Sequence, residues 1–347
     1  MVGGALGVPE PVPGASASSG ARARSLLLDD WRGLAILLVV IGHAIQWTTT
    51  SSFDSNWVFR FIYTFHMPLF FFISGIVAAS ALERPLAGLL KSRVLGLVVP
   101  FLSWYVAVTA VTRVVTGRPH LFEALSSIYG HPDYGLWFLW VLFAITMIAA
   151  LCARVPVVPR WLTFLAVWVV LQLIPIDVLG LGLIKWHFAF FACGVLISRR
   201  ALSGDLLERR WPVWAGVAVT IVWVALAIGW RRVDLLPLSQ WWQAHGLLGT
   251  RTLDLAYRYA AAFAGIATSL LAAKGARSIP AVAAGLRFLG LRTLDIYVSH
   301  QLILNIFGGL GILWAPVAAI VAGGGAIVLA ILARKVRPLR VLFYGGR

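Results

Sequence analysis

The feature that most constrains this chain is a series of apolar segments, most of them close to the length of a helix that crosses a lipid bilayer; the fifth and sixth are short. A bilayer core of about 30 Å needs roughly 20 residues of helix. The 347-residue chain contains ten such segments, near residues 33–50, 57–80, 94–115, 136–153, 161–179, 184–198, 212–230, 255–273, 293–310 and 312–333. The pattern therefore predicts an all-α polytopic membrane protein, a bundle of about ten transmembrane helices.

Composition agrees with a membrane protein. Apolar residues make up 60% of the chain and charged residues only 12%, about half the charged share of a soluble domain. A net charge of +16 would suggest nucleic acid in a soluble protein, but in a membrane protein basic residues set the topology and face anionic lipid. We therefore predict that the basic residues face the lipid bilayer and that the chain binds no nucleic acid.

The basic residues predict an orientation with both termini in the cytoplasm. Of 29 Lys and Arg residues, this topology leaves 21 on the cytoplasmic side and eight on the outside, which are Arg60, Arg113, Arg118, Lys185, Arg231, Arg232, Arg251 and Arg258. A composition rich in Arg, Ala, Gly and Leu, with little Lys, is typical of a GC-rich bacterial genome. The predicted location is the bacterial plasma (inner) membrane.

Three regions are expected along the chain. Residues 1–25 are rich in Pro, Gly, Ala and Ser and lack the apolar core of a signal peptide, which predicts a disordered cytoplasmic tail. Residues 26–335 form the transmembrane domain, and residues 336–347 form a basic cytoplasmic tail.

Ionisable residues inside a membrane are expensive, and each is a functional hypothesis. Arg32 lies at the cytoplasmic end of the first segment, and His43 follows eleven residues later. Eleven residues of helix return to within about 20° of the starting direction and rise about 16 Å, so the two side chains share a face. An arginine fork binds phosphate, and a histidine can act as a general base near neutral pH or accept the acyl group itself, two roles that the spacing does not distinguish. The separation fits a donor with a phosphate-bearing head and a long arm, such as coenzyme A.

Two more histidines lie at similar predicted depth. His66 precedes Pro68 in the second segment, and Pro68 is expected to loosen the helix there. His300 lies about 12 Å above Arg292 in the ninth segment. No two of the three histidines have the spacing of a helical ligand pair, so we predict no metal.

The motifs together resemble the acyltransferase-3 family of membrane O-acyltransferases. They are LDDWRGLAILLVVIGH, FHMPLFFFISG, GLWFL, FAFFACGVLI and LGLRTLDIYVSH, in order from about residue 27 to 305. The resemblance implies transfer of an acetyl or other short acyl group from acyl-CoA (acetyl-CoA) to a sugar, glycan or glycolipid of the cell envelope. By this resemblance, Asp29, Arg32 and His43 are expected to belong to the catalytic site.

The remaining candidates surround that core. We assign His66 to the catalytic group, and Arg32, Lys91, Arg93, Arg292 and His300 to donor binding. In the family, a second basic residue often follows three positions after the arginine that opens the third span. Here Gly96 occupies that position, so this chain departs from the two-arginine pattern, and Lys91 is the cation nearby in sequence that could compensate.

Each assignment has a structural alternative. His43 could be a core histidine, and Arg32 could be a membrane-surface anchor paired with Asp29 or Asp30. His66 and His300 could be polar contacts between helices, and Lys91 and Arg93 topology determinants.

The whole chain has alternatives too. A secondary transporter would use intramembrane histidines and arginines as a proton or anion relay, although no related halves are visible in the sequence. The chain could also be the transmembrane module of a larger acylation or secretion assembly.

Overall fold

Helices are the only regular elements in the part of the chain that the structure describes. This computed structural model describes residues 26–49, 55–116, 136–203, 207, 209–232, 234, 236–246, 249–309 and 314–346. The predicted tail over residues 1–25 lies outside them. An all-helical fold is confirmed.

Each of the ten apolar segments overlaps one helix or two consecutive helices. The first half contains α1 Leu26–Thr48, α2 Trp57–Tyr63, α3 His66–Ala78, α4 Leu86–Arg93, a π-helix Val94–Val98, α5 Val99–Thr116, α6 Trp137–Cys152 and α7 Arg160–Leu173. The second half contains α8 Leu181–Leu202, α9 Val213–Gly229, α10 Pro237–Ala244, α11 Thr250–Ala276, α12 Pro280–Leu291, α13 Thr293–Gly309, α14 Ala315–Arg334 and α15 Arg337–Tyr344.

Within the described residues, five stretches are long and apolar enough to cross a membrane. They are Trp57–Ala78, Leu86–Val111, Leu181–Leu202, Thr250–Ala276 and Ala315–Arg334. Large apolar side chains such as Val213 and Ile320 are 83% and 74% exposed. Such exposure is expected where the solvent is lipid.

The break between α2 and α3 follows from Pro68. A proline cannot donate to the carbonyl four residues earlier, and its ring clashes with that carbonyl, which belongs to Thr64. The helix accordingly ends at Tyr63 and restarts at His66. The loosening expected at this point is confirmed.

A second proline explains the π-helix between α4 and α5. Pro100 cannot donate to the carbonyl of Gly96, and the Val99 amide instead donates to Val94, five residues back. The wider turn removes the clash and keeps the long α4–α5 helix nearly continuous.

Glycines allow two pairs of helices to touch through their backbones. A Cβ on Gly33 of α1 would overlap the carbonyl of Leu286 in α12, and one on Gly290 of α12 would overlap the carbonyl of Asp29. Between α3 and α8, Gly75 and Gly194 face each other's helix in the same way. Small residues at helix contacts are the usual means of close packing in membranes.

The helix α1 begins at Leu26, seven residues before the predicted first segment. The early start is stabilised by burial, because Leu27 and Trp31 are almost inaccessible. The Trp31 indole N–H donates to the Ser269 hydroxyl at 2.9 Å, and the buried Asp30 accepts from Arg287 at 3.1 Å. The first helix is therefore fixed to α11 and α12 at its N-terminal end.

We expect Gly194→Ala to destabilise the protein by at least about 1–3 kcal/mol, the range for overpacking a filled core, because the new methyl group overlaps the Phe72 carbonyl. Gly324→Ala is the matched control, since nothing lies within 4 Å of its Cβ position. Thermal unfolding in detergent measures the difference. Equal melting temperatures for the two variants would contradict close backbone packing of α3 and α8.

Candidate active site

Two histidines predicted at similar depth contact each other directly. His43 Nδ1 of α1 lies 2.7 Å from His300 Nε2 of α13. The rings are nearly parallel, with an angle of 12° between their planes and 5.0 Å between their centroids. His300 is fully buried, whereas His43 is partly accessible. His43 is therefore the member of the pair that a substrate can reach.

The hydrogen bonds around the pair determine its tautomers. His300 Nδ1 lies 3.0 Å from the Ile296 carbonyl and 2.7 Å from the Tyr297 carbonyl. Since a carbonyl only accepts, Nδ1 of His300 must carry a proton. When both rings are neutral, His300 Nε2 carries no proton and therefore accepts a hydrogen bond from the Nδ1–H of His43. The second nitrogen of His43, Nε2, is left with a lone pair.

A polar pocket lies at the other end of the same face of α1. This cavity of about 560 Å³ is lined by Arg32, Arg292, Asp295 and Arg334 among others. The Arg32 guanidinium lies 3.7 Å from the Asp29 carboxylate, which is 3% exposed. Two of the predicted donor-binding residues, Arg32 and Arg292, thus share one pocket. Along α1, the eleven residues from Arg32 to His43 correspond to a helix rise of about 16 Å.

His66 lies at the break between α2 and α3. Its Nδ1 is 3.0 Å from the Ile62 carbonyl, at the end of α2. Its ring lies 4.4 Å from the Tyr63 ring, over which the guanidinium of Arg232 is placed at 5.8 Å. His66 therefore has a structural partner in the broken span.

Lys91 and Arg93 lie on α4 and are not among the residues that line the pocket of Arg32 and Arg292. Lys91 is exposed and Arg93 is partly buried. The π-helix begins directly after Arg93. The structure thus gives neither cation a place in the polar pocket of Arg32 and Arg292.

Sequence reasoning missed two residues, a buried histidine on α8 and an arginine of the polar pocket. His187 of α8 is buried, with its ring 4.4 Å from Phe71 and 5.1 Å from Trp137. Arg334 pairs with Asp295 at 2.5 Å in the polar pocket. The intramembrane position of His187 could have revealed it, whereas Arg334 looked like one basic residue in a terminal group.

A metal centre has no obvious ligand set in the part of the chain that is described. No three His, Cys, Asp or Glu side chains there come close enough to hold one ion.

A bundle of apolar helices with cations at one end and a histidine pair inside defines an integral membrane protein with a polar site within the bundle. The sequence profile of an acyltransferase domain matches residues 27–335, nearly the whole chain. The chain belongs to the acyltransferase-3 family. The predicted family is confirmed.

Two curated relatives carry the printed name nodulation protein NolL. The protein of Sinorhizobium fredii is 30% identical over 201 residues, which cover 54% of this chain and 53% of the relative. That of Mesorhizobium japonicum is 26% identical over 189 residues, covering 53% and 50%. The chain thus spans about half the length of these relatives. No solved structure matches the chain.

We expect His300→Ala to lower the rate of acyl transfer by on the order of ten- to a hundredfold, as is typical when a functional histidine loses the partner that orients it. Donor affinity should stay unchanged, because His300 lies away from the arginine pocket. His300→Gln, whose amide oxygen can accept from His43, should recover part of the rate. Steady-state kinetics separates these effects, with the exposed His245→Ala as control. A rise in donor Kd at unchanged turnover would instead support donor binding by His300.

Proposed function

We propose that the chain is a membrane-bound acyltransferase that moves an acetyl or short acyl group from cytoplasmic acyl-CoA to a hydroxyl of a carbohydrate or glycolipid acceptor. The observation that carries the proposal is the alignment on one face of α1 of the arginine pocket and the His43–His300 pair. Family membership supports acyl transfer over the transporter alternative. The acceptor class rests on the family resemblance.

The proposed topology has ten spans with both termini in the cytoplasm of a bacterial plasma membrane. Under this topology the first helix enters the membrane near Arg32, and α12 ends just before Arg292 at the same side. Both guanidinium groups then face the compartment that contains acyl-CoA. The 21 to 8 distribution of basic residues supports this orientation.

Donor binding is assigned to the arginine pocket. Arg32 and Arg292 bind the phosphates of coenzyme A through charge-assisted hydrogen bonds, and Asp29 positions the Arg32 guanidinium through their ion pair. The Arg292 guanidinium already stacks on the Phe288 ring at 3.9 Å, which restricts its motion. The pantetheine arm extends along α1 toward His43.

Chemistry is assigned to His43 Nε2. As the acceptor oxygen attacks the thioester carbonyl, its O–H proton passes to Nε2, and a tetrahedral oxyanion forms. The C–S bond then breaks, and the sulfur leaves with the proton that Nε2 held, so His43 returns to its neutral form. His300 positions His43 by accepting its Nδ1–H, and we now assign His66 to holding the broken second span.

We expect Arg32→Ala to weaken coenzyme A binding by about 1.5–3 kcal/mol, the value for a hydrogen bond to a charged group. Arg32→Lys should recover the charge but not the two-pronged geometry, and so only part of the affinity. Calorimetry of the purified protein measures both. Arg199→Ala, an exposed cation at the end of α8, is the matched control. Unchanged affinity in the Arg32 variants would place the donor elsewhere.

We expect His43→Ala to reduce transfer by about 10²–10⁴-fold, the usual contribution of a general base. Coenzyme A affinity should remain close to that of the unmodified protein, because the arginine pocket is intact. Labelled acetyl-CoA and total membrane acceptors report the transfer, and melting temperature reports folding. A folded His43→Ala protein with full turnover would refute the assignment, and activity lost only in proportion to folded yield would indicate a structural role.

A further inference from the structure

The C-terminal helix α15 is packed into the protein rather than extended from it. The Trp104 indole N–H of α5 donates to the Phe343 carbonyl at 2.8 Å. Tyr344 is completely buried, and its ring lies 5.9 Å from that of Trp104. Gly345, with a φ of 68°, approaches Gly96 so closely that a Cβ would lie 2.9 Å from the Gly96 Cα. The end of α15 therefore lies on the π-helix that follows Arg93.

Two side chains of α15 carry buried polar atoms without a partner. The Tyr344 hydroxyl and the Arg340 Nε are inaccessible to solvent and make no hydrogen bond to any described residue. The Ser299 hydroxyl lies near Tyr344, but it donates its one proton to the Asp295 carbonyl and therefore cannot donate to the Tyr344 oxygen. Buried polar groups of this kind are rare unless a ligand or water satisfies them.

The Tyr344 hydroxyl and the Arg340 Nε belong to side chains on one face of α15, and a further arginine lies beside them. Arg340 and Tyr344 are four residues apart on α15, so they project on the same side. The guanidinium of Arg334 lies 5.2 Å from the Tyr344 ring, and Arg334 also lines the arginine pocket. Burial raises the pKa of Tyr344, so its hydroxyl remains a hydrogen-bond donor. The Asp295 carboxylate also acts on Tyr344, but Arg334 pairs with it. Arg340 and the Tyr344 hydroxyl therefore still offer positive charge and a donor to an anion.

We propose that Arg340 and Tyr344 of α15 form a second anion-binding site for a phosphate ester, next to the arginine pocket that Arg334 also lines. Identifying the ligand as coenzyme A rests on the proposed function. That donor carries a diphosphate near its arm and a separate 3′-phosphate on the ribose. Because Arg32 lies on the same face as His43, the arginine pocket binds the diphosphate, and the α15 site binds the more remote 3′-phosphate.

The experiment measures binding to the full chain in phosphatidylcholine nanodiscs by calorimetry. Coenzyme A should bind Arg340→Gln and Tyr344→Phe about ten- to a hundredfold more weakly than the unmodified protein. Dephospho-coenzyme A, which lacks the 3′-phosphate, should bind all three equally. Arg337→Gln removes the same charge from an exposed position of the same helix and should bind coenzyme A normally. Tyr344→Phe keeps the buried ring, and melting temperatures verify folding.

Several results would overturn the proposal. They are unchanged coenzyme A affinity in Arg340→Gln and Tyr344→Phe, an equal loss in Arg337→Gln, or an equal loss with dephospho-coenzyme A. If the unmodified protein binds no coenzyme A, the proposed donor is wrong, and titration with inorganic phosphate decides about the site alone. Weaker phosphate binding by Arg340→Gln than by the unmodified protein would support the α15 site, and equal phosphate binding by the two proteins would refute it. If added phosphatidylglycerol abolishes the Arg340-dependent binding, the ligand is a lipid head group and the nucleotide assignment is wrong.

Discussion

Close backbone contact between α1 and α12 is the constraint on which the site geometry depends. In lipid, helices gain little from burying apolar side chains against each other, so their positions are fixed by close packing and polar contacts. Gly33 and Gly290 provide the close packing, and the Asp30–Arg287 ion pair adds the polar contact. Only Arg292 separates α12 from α13. The contact that fixes α12 against α1 therefore also fixes Arg292 beside Arg32 and His300 beside His43.

The histidine pair shows how a buried polar ring can be hydrogen-bonded inside a bundle while its neighbour keeps a nitrogen lone pair. A buried polar atom must be hydrogen-bonded, and His300 meets this requirement with two backbone carbonyls on its own helix. Its remaining nitrogen can then only accept from a neutral neighbour, which fixes the tautomer of His43. The same bonds that satisfy the buried ring thus leave one nitrogen of the accessible ring available.

The helices and the shared face of Arg32 and His43 could be predicted from the sequence, because both follow from periodicity within one segment. The contact between His43 and His300 could not, since it depends on the rotation of two helices about their axes. Packing of α15 was also missed. Arg337–Tyr344 contains two arginines and a proline and is too short to span a membrane, so its composition predicts only a basic tail. The close approach of Gly345 to Gly96 leaves no trace in hydropathy.

The arrangement along α1 separates the binding of the donor from the reaction. Interactions with remote, unreactive parts of a substrate can offset the free energy of orienting its reactive end. In the proposed donor site the arginines contact only phosphates, which do not change during acyl transfer, so they would stabilise the ground state and the transition state equally. The proposed base, His43, lies about 16 Å of helix rise away and would contribute only when a proton moves. The fixed rise along α1 would thus match the reach of the bound pantetheine arm to the proposed base, and the entropy of aligning the thioester would be lost on binding rather than in the chemical step.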